Sequence, residues 1–104
     1  MEHVKGNAMG LCFEAARFCE KTYAASLNLD DTKLIRYLRD CADLCYTCGK
    51  FCARDSEFMG ALAKACADVC IKCAELCETR EDLKIAQECA DACRRCAEAC
   101  RHAS

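Results

Sequence analysis

The chain has 104 residues, enough for one small domain whose core needs help from metal or partners. Its 15 basic and 17 acidic residues give a formal charge of -2, without the basic excess of a nucleic-acid binder. A 54% hydrophobic share excludes a disordered tail, and the lack of any run of about 18 apolar residues excludes a membrane-spanning helix.

Pro is absent and Gly numbers four, so the chain reads as mostly helix. The first helix is expected from Val4 or Asn7 to Ser26. Asn28-Leu29-Asp30-Asp31 breaks it, with Asp30 or Asp31 as the cap of a second helix over Thr32 to Ala53. Arg54-Asp55-Ser56 is the next break, with Asp55 or Ser56 as the cap of a third helix over Glu57 to Glu78. Thr79-Arg80-Glu81-Asp82 reads as a box-like start of a fourth that ends near His102. Short links make consecutive helices antiparallel. The expected fold is all-α, an up-down-up-down four-helix bundle, with residues 1–104 as a single domain.

The last three helices carry one motif each: Cys41, Cys45, Cys48 and Cys52; Cys66, Cys70, Cys73 and Cys77; Cys89, Cys93, Cys96 and Cys100. The first helix keeps the frame as Ala8, Cys12, Ala15 and Cys19. Spacing 4-3-4 is the inward seam of a bundle helix, so all 14 cysteines point to a common axis. One residue earlier runs a second stripe, including Leu11, Phe18, Leu44, Phe51, Val69 and Leu76. It is expected to supply most of the packing between helices.

So many thiols in register are more than ordinary core filling. Disulfides along one helix are strained, because Cβ atoms at these spacings lie about 5–6 Å apart and a bridge wants roughly 3.5–4.5 Å. Bridges between helices stay open. Redox catalysis fits poorly: Cys45-Tyr46-Thr47-Cys48 and its two counterparts lie mid-helix, facing inward. Soft metal fits best. Thiolates select Cu(I), Zn or iron–sulfur clusters. Cu(I) accepts two or three shared thiolates, each ion replacing one thiol proton, which sets a ceiling of roughly 14 Cu(I) per chain. A Zn/Cd thiolate buffer or detoxification protein is the alternative, and it saturates at far fewer ions.

The triple repeat, above all Phe58-Met59 through the CADVCIKCAELC and CADACRRCAEAC segments, resembles the cysteine-rich four-helix-bundle copper storage proteins of bacteria, cytosolic branch. The resemblance covers nearly the whole chain. It implies reversible storage of many Cu(I) ions by all the cysteines, no catalytic turnover and a homotetramer. Helix one departs from the family pattern, with Ala8 and Ala15 in two frame positions, which lowers the expected capacity. Residues 1–20 lack the pattern of a signal peptide. The expected location is therefore the cytoplasm, with export open if a leader was removed.

Antiparallel topology gathers His3, Met9, Cys52, Met59, Cys100 and His102 at one end. Met59 lies on the cysteine seam and Met9 one residue off it. Thioether and imidazole both suit Cu(I), so this end is the expected mouth, with Met59, Met9, His3 and His102 as further candidate ligands. The other end gathers Leu34, Leu38, Thr22, Ser26, Ile85 and Ala86 and is expected to be sealed.

Overall fold

The computed structural model describes the backbone of residues 2–103 and the side chains of residues 8–103. Four helices follow in order: α1 (Glu2–Ser26), α2 (Thr32–Ala53), α3 (Met59–Glu78) and α4 (Lys84–Ala103). Among the described residues each helix packs on its neighbours in the ring α1-α2-α3-α4, while the backbones of the diagonal pairs stay apart and α2 and α4 meet only through side chains. The bundle measures 41 × 17 × 17 Å. Its long axis is close to the length of α1, about 37 Å at the usual rise per residue.

The first connection follows the sequence reading. Asp31 caps α2, its side chain accepting from the Leu34 N–H at 3.2 Å. The other two connections differ from it. Asp55 does not cap α3 but ends α2, in a left-handed conformation (φ 54°). Its N–H donates to the Cys52 carbonyl at 3.1 Å and that of Ser56 to Phe51 at 3.0 Å, the bond pattern of a Schellman turn. Ser56 Oγ accepts from the Phe58 N–H at 3.0 Å, so Ser56 shapes the turn ahead of the helix. The α3 N-cap position falls to Phe58, which has no capping side chain. Thr79, expected to open α4, instead closes α3 as its C-cap. Arg80 then clamps Asp82 and the cap residue Asp31, both at 2.8 Å, and ties the two loops at that end together.

Packing also differs in its source. The stripe ahead of the cysteines is half-buried at Leu11, Phe18, Leu44, Phe51, Val69 and Leu76, and flanks the core. Apart from Ala92 and Ala99, where the stripe is buried on α4, full burial goes to the small residue after a cysteine position: Ala16, Ala42, Ala67, Ala74, Ala90 and Ala97, each no more than 3% exposed. Gly49 continues that row beside Cys48. The Phe13 ring lies over it so closely that a Cβ there would stand 2.5 Å from Phe13 Cε1. Small residues let helix backbones approach, so that short thiol side chains can meet across the axis.

The largest fully buried side chains, Leu34 and Leu38, extend the α2 seam past Cys41 and close one end. Thr22 Oγ1 donates there to the Phe18 carbonyl at 2.8 Å and lies 3.3 Å from the Ile85 carbonyl, linking α1 to α4. Ser26 Oγ donates to the Thr22 carbonyl at 2.7 Å. Every buried side-chain polar N or O among the described residues is satisfied.

Gly49→Ala is expected to destabilise the metal-free protein in urea unfolding. Overpacking against Phe13 costs about 1–3 kcal/mol, against a helix-propensity gain of about 1 kcal/mol. With Phe13→Ala in the background only the gain remains, and the same substitution is expected to stabilise.

Candidate metal centre

The 4-3-4 frame places all the cysteines inside. Each is 0% exposed except Cys52, at 7%, and none is in a disulfide. Sulfurs meet across helices and along them. Cys12 lies 3.7 Å from Cys100 and 3.6 Å from Cys96. Cys19 is 3.7 Å from both Cys89 and Cys93. Cys45 is 3.4 Å from Cys70 and 3.8 Å from Cys66. Cys41 is 3.8 Å from both Cys70 and Cys93.

These spacings can be set against metal geometry. With a metal–sulfur bond of about 2.3 Å, two sulfurs on a three-coordinate ion stand about 4.0 Å apart, and on a linear ion about 4.6 Å apart. The core as it stands fits ions that share three thiolates. Linear sites need a small opening of each pair, which rotation about Cα–Cβ supplies.

The α2–α3 connection builds the end of the column. Cys52 sits in the last turn of α2, its carbonyl held by the Schellman turn. Met59 is the first residue of α3 and 4% exposed, and the Cys52 thiol donates to its Sδ at 3.2 Å. Thiol and thioether therefore form one contact at the least covered part of the column. Met9 is half-buried against the same core. His102 is not brought to the thiols: it is exposed, its Nε2 lying 3.1 Å from Glu98 one turn back on α4. Glu98 and His102 stand four residues apart, and that spacing favours an outward pair. The His3 side chain lies outside the described residues.

Protonation follows from burial and crowding. The Cys52 thiol is pushed up to about 12, first by burial and then by the neighbouring Cys48. Deeper thiols hold one another. Cys12 and Cys70 are raised, by hydrogen bonding foremost with Cys100 and Cys41 respectively, and by burial. Cys41 and Cys89 are lowered, foremost by hydrogen bonding with Cys19, and Cys66 and Cys96, foremost by hydrogen bonding with Cys100. Charge present before metal arrives thus collects on the few sulfurs that neighbouring thiols solvate, and the raised thiols keep their protons.

Sequence reasoning missed the row of small residues behind the cysteines. Its signal was the repeated Cys-Ala pair, at Cys41-Ala42, Cys66-Ala67, Cys73-Ala74, Cys89-Ala90 and Cys96-Ala97.

A closed column of soft ligands, sheathed by small residues, defines a protein that holds soft cations in number. The chain belongs to the copper storage protein family, whose model matches residues 1–104. Solved structures agree. The Cu(I)-bound copper storage protein BsCsp3 is 30% identical, the match covering 96% of this chain and 97% of that one, with a TM-score of 0.91. Apo copper storage protein 3 of Bacillus subtilis is 32% identical over 93% of this chain and 95% of that one, TM-score 0.88. A histidine-to-alanine variant of Streptomyces lividans Ccsp is 28% identical over 99% of this chain and 93% of that one, TM-score 0.93. No curated protein matches the chain.

A thiol raised on folding binds its proton more tightly in the folded state than in the unfolded one. Its contribution is complete below the ordinary thiol value of 9.0 and is lost as pH climbs through the folded value, about 12 for Cys52. Anaerobic melting of the reduced, metal-free protein is expected to show falling stability over that window.

Proposed function

We propose that this chain stores and buffers Cu(I) on the thiolates that line its core, without catalytic turnover. The observation that carries this reading is the set of buried, unbridged cysteines whose sulfurs form groups of four within 4.8 Å of one another. Membership of the copper storage family and likeness to a Cu(I)-bound relative support it. All the cysteines from Cys12 to Cys100 act as ligands, in one copper-binding unit over residues 1–104. Two- and three-coordinate Cu(I) sharing each thiolate gives a capacity near one ion per thiol, about 14.

Charge favours this cargo. Each Cu(I) replaces one proton, so a filled core is neutral, whereas dications at the same ratio would bury a large positive charge. Ions pass through the end marked by Cys52 and Met59, with Met9 beside it. His102 joins only by leaving Glu98, and His3 is a further candidate on the same end. Leu34 and Leu38 stop the column at the other. The chain works as a homotetramer in the cytoplasm. Resemblance to the cytosolic branch of the family supports both. Among the described residues no helix is long and apolar enough to cross a membrane.

Anaerobic Cu(I) titration of fully reduced protein, read by native mass, is expected to saturate near one ion per thiol with helical content kept. Saturation at four or fewer ions would remove the storage function. Met59→Leu is expected to slow Cu(I) uptake in stopped flow while leaving capacity within one ion of the parent. An unchanged rate would remove Met59 from the mouth.

A further inference from the structure

The thiols are not evenly spaced along the column. Three sets of four sulfurs, each mutually within 4.8 Å, stand out: Cys19, Cys41, Cys73 and Cys93; Cys12, Cys66, Cys96 and Cys100; and Cys45, Cys66, Cys70 and Cys96. The first takes one thiol from each of the four helices. It shares no sulfur with the second, whereas the third borrows Cys66 and Cys96 from it. At most two sets can be filled at once.

Besides sharing three-coordinate Cu(I), four thiols this close can close around one four-coordinate ion, a geometry that two- or three-coordinate Cu(I) does not use. A tetrahedral ion with bonds of about 2.3 Å sets its sulfurs about 3.8 Å apart. Cys93 lies 3.7 Å from Cys19 and 3.8 Å from Cys41. In the second set Cys12 lies 3.7 Å from Cys100 and 3.6 Å from Cys96, with Cys96 and Cys100 at 3.9 Å. Burial excludes water from a fifth position, as in a closed structural site.

We propose that the copper-free bundle binds two divalent soft cations of the Zn2+ class. One sits at Cys19/Cys41/Cys73/Cys93 and one at Cys12/Cys66/Cys96/Cys100. The first site cross-braces all the helices, giving the empty store a stabilising ligand where apolar core is thin. Each site binds its dication with loss of four thiol protons and carries a net charge of -2. Four Cu(I) ions on the same four thiolates release the dication and bring that charge to zero. Burial favours the neutral state, so Cu(I) displaces the dication and the reverse exchange is weak.

The test is anaerobic titration of reduced, copper-free protein with Co2+ and with Zn2+. Binding is read by native mass and, for Co2+, by the visible bands of tetrahedral thiolate coordination. Two ions per chain with tetrahedral spectra are expected. Cys41→Ser should leave one. Cys77→Ser, outside all three sets, should leave two, and circular dichroism should show both variants helical. Cu(I) added to the Zn2+ form should expel both ions, detected by a zinc dye. Any other count in the parent, an octahedral Co2+ spectrum, or equal loss in the two variants overturns the proposal. The Cu(I) titration reads storage separately, so failure of either result leaves the other standing.

Discussion

Thiols on neighbouring helices meet across this bundle because alanine and glycine stand beside the cysteines. A leucine in that row would push the helices apart and leave each sulfur facing a gap. With Ala42, Ala67, Ala74, Ala90 and Ala97 buried beside their cysteines, sulfurs on different helices come within 3.4–4.0 Å of one another. At Gly49 the Phe13 ring is laid directly over the bare backbone. The metal-binding geometry is therefore a property of the helix spacing, and the helix spacing is a property of residues that bind nothing.

The same economy of volume makes the two ends unlike. Leu34 and Leu38 bring at one end the apolar bulk that the column lacks elsewhere. Thr22, Ser26 and the Arg80 clamp on Asp31 fasten the surrounding chain. The other end has a loop whose turn holds Cys52 and whose far side delivers Met59 to it. One end is closed by packing and the other finishes in sulfur.

Much of this was legible in the sequence, because periodicity encodes faces. The 4-3-4 spacing fixed which side of each helix turns inward, and the position of Met59 seven residues before Cys66 put it on the seam. Asp31 was readable as a cap, since a carboxylate ahead of a helix has one obvious use. Asp55 was not: the same residue type can start a helix or end one in the left-handed region, and the choice depends on which carbonyls lie behind it. His102 shows a similar limit. Its place near the mouth follows from topology, but its direction depends on Glu98, a competing partner one turn away. The buried alanines were overlooked because the eye seeks large residues for packing, and here the small ones set the distance.

Burial of the cysteines has a consequence for how the protein ages. A thiol reacts with peroxide or a passing disulfide as an accessible thiolate, and these sulfurs are neither exposed nor, for the most part, charged. Oxidative damage to the core must wait for the helices to part, so its rate follows the opening of the fold and not the chemistry of sulfur. Cys52, with 7% of its surface in solvent, is the exception. The working life of the empty protein in air is accordingly set by mechanical tightness, and its corrosion begins at a single residue.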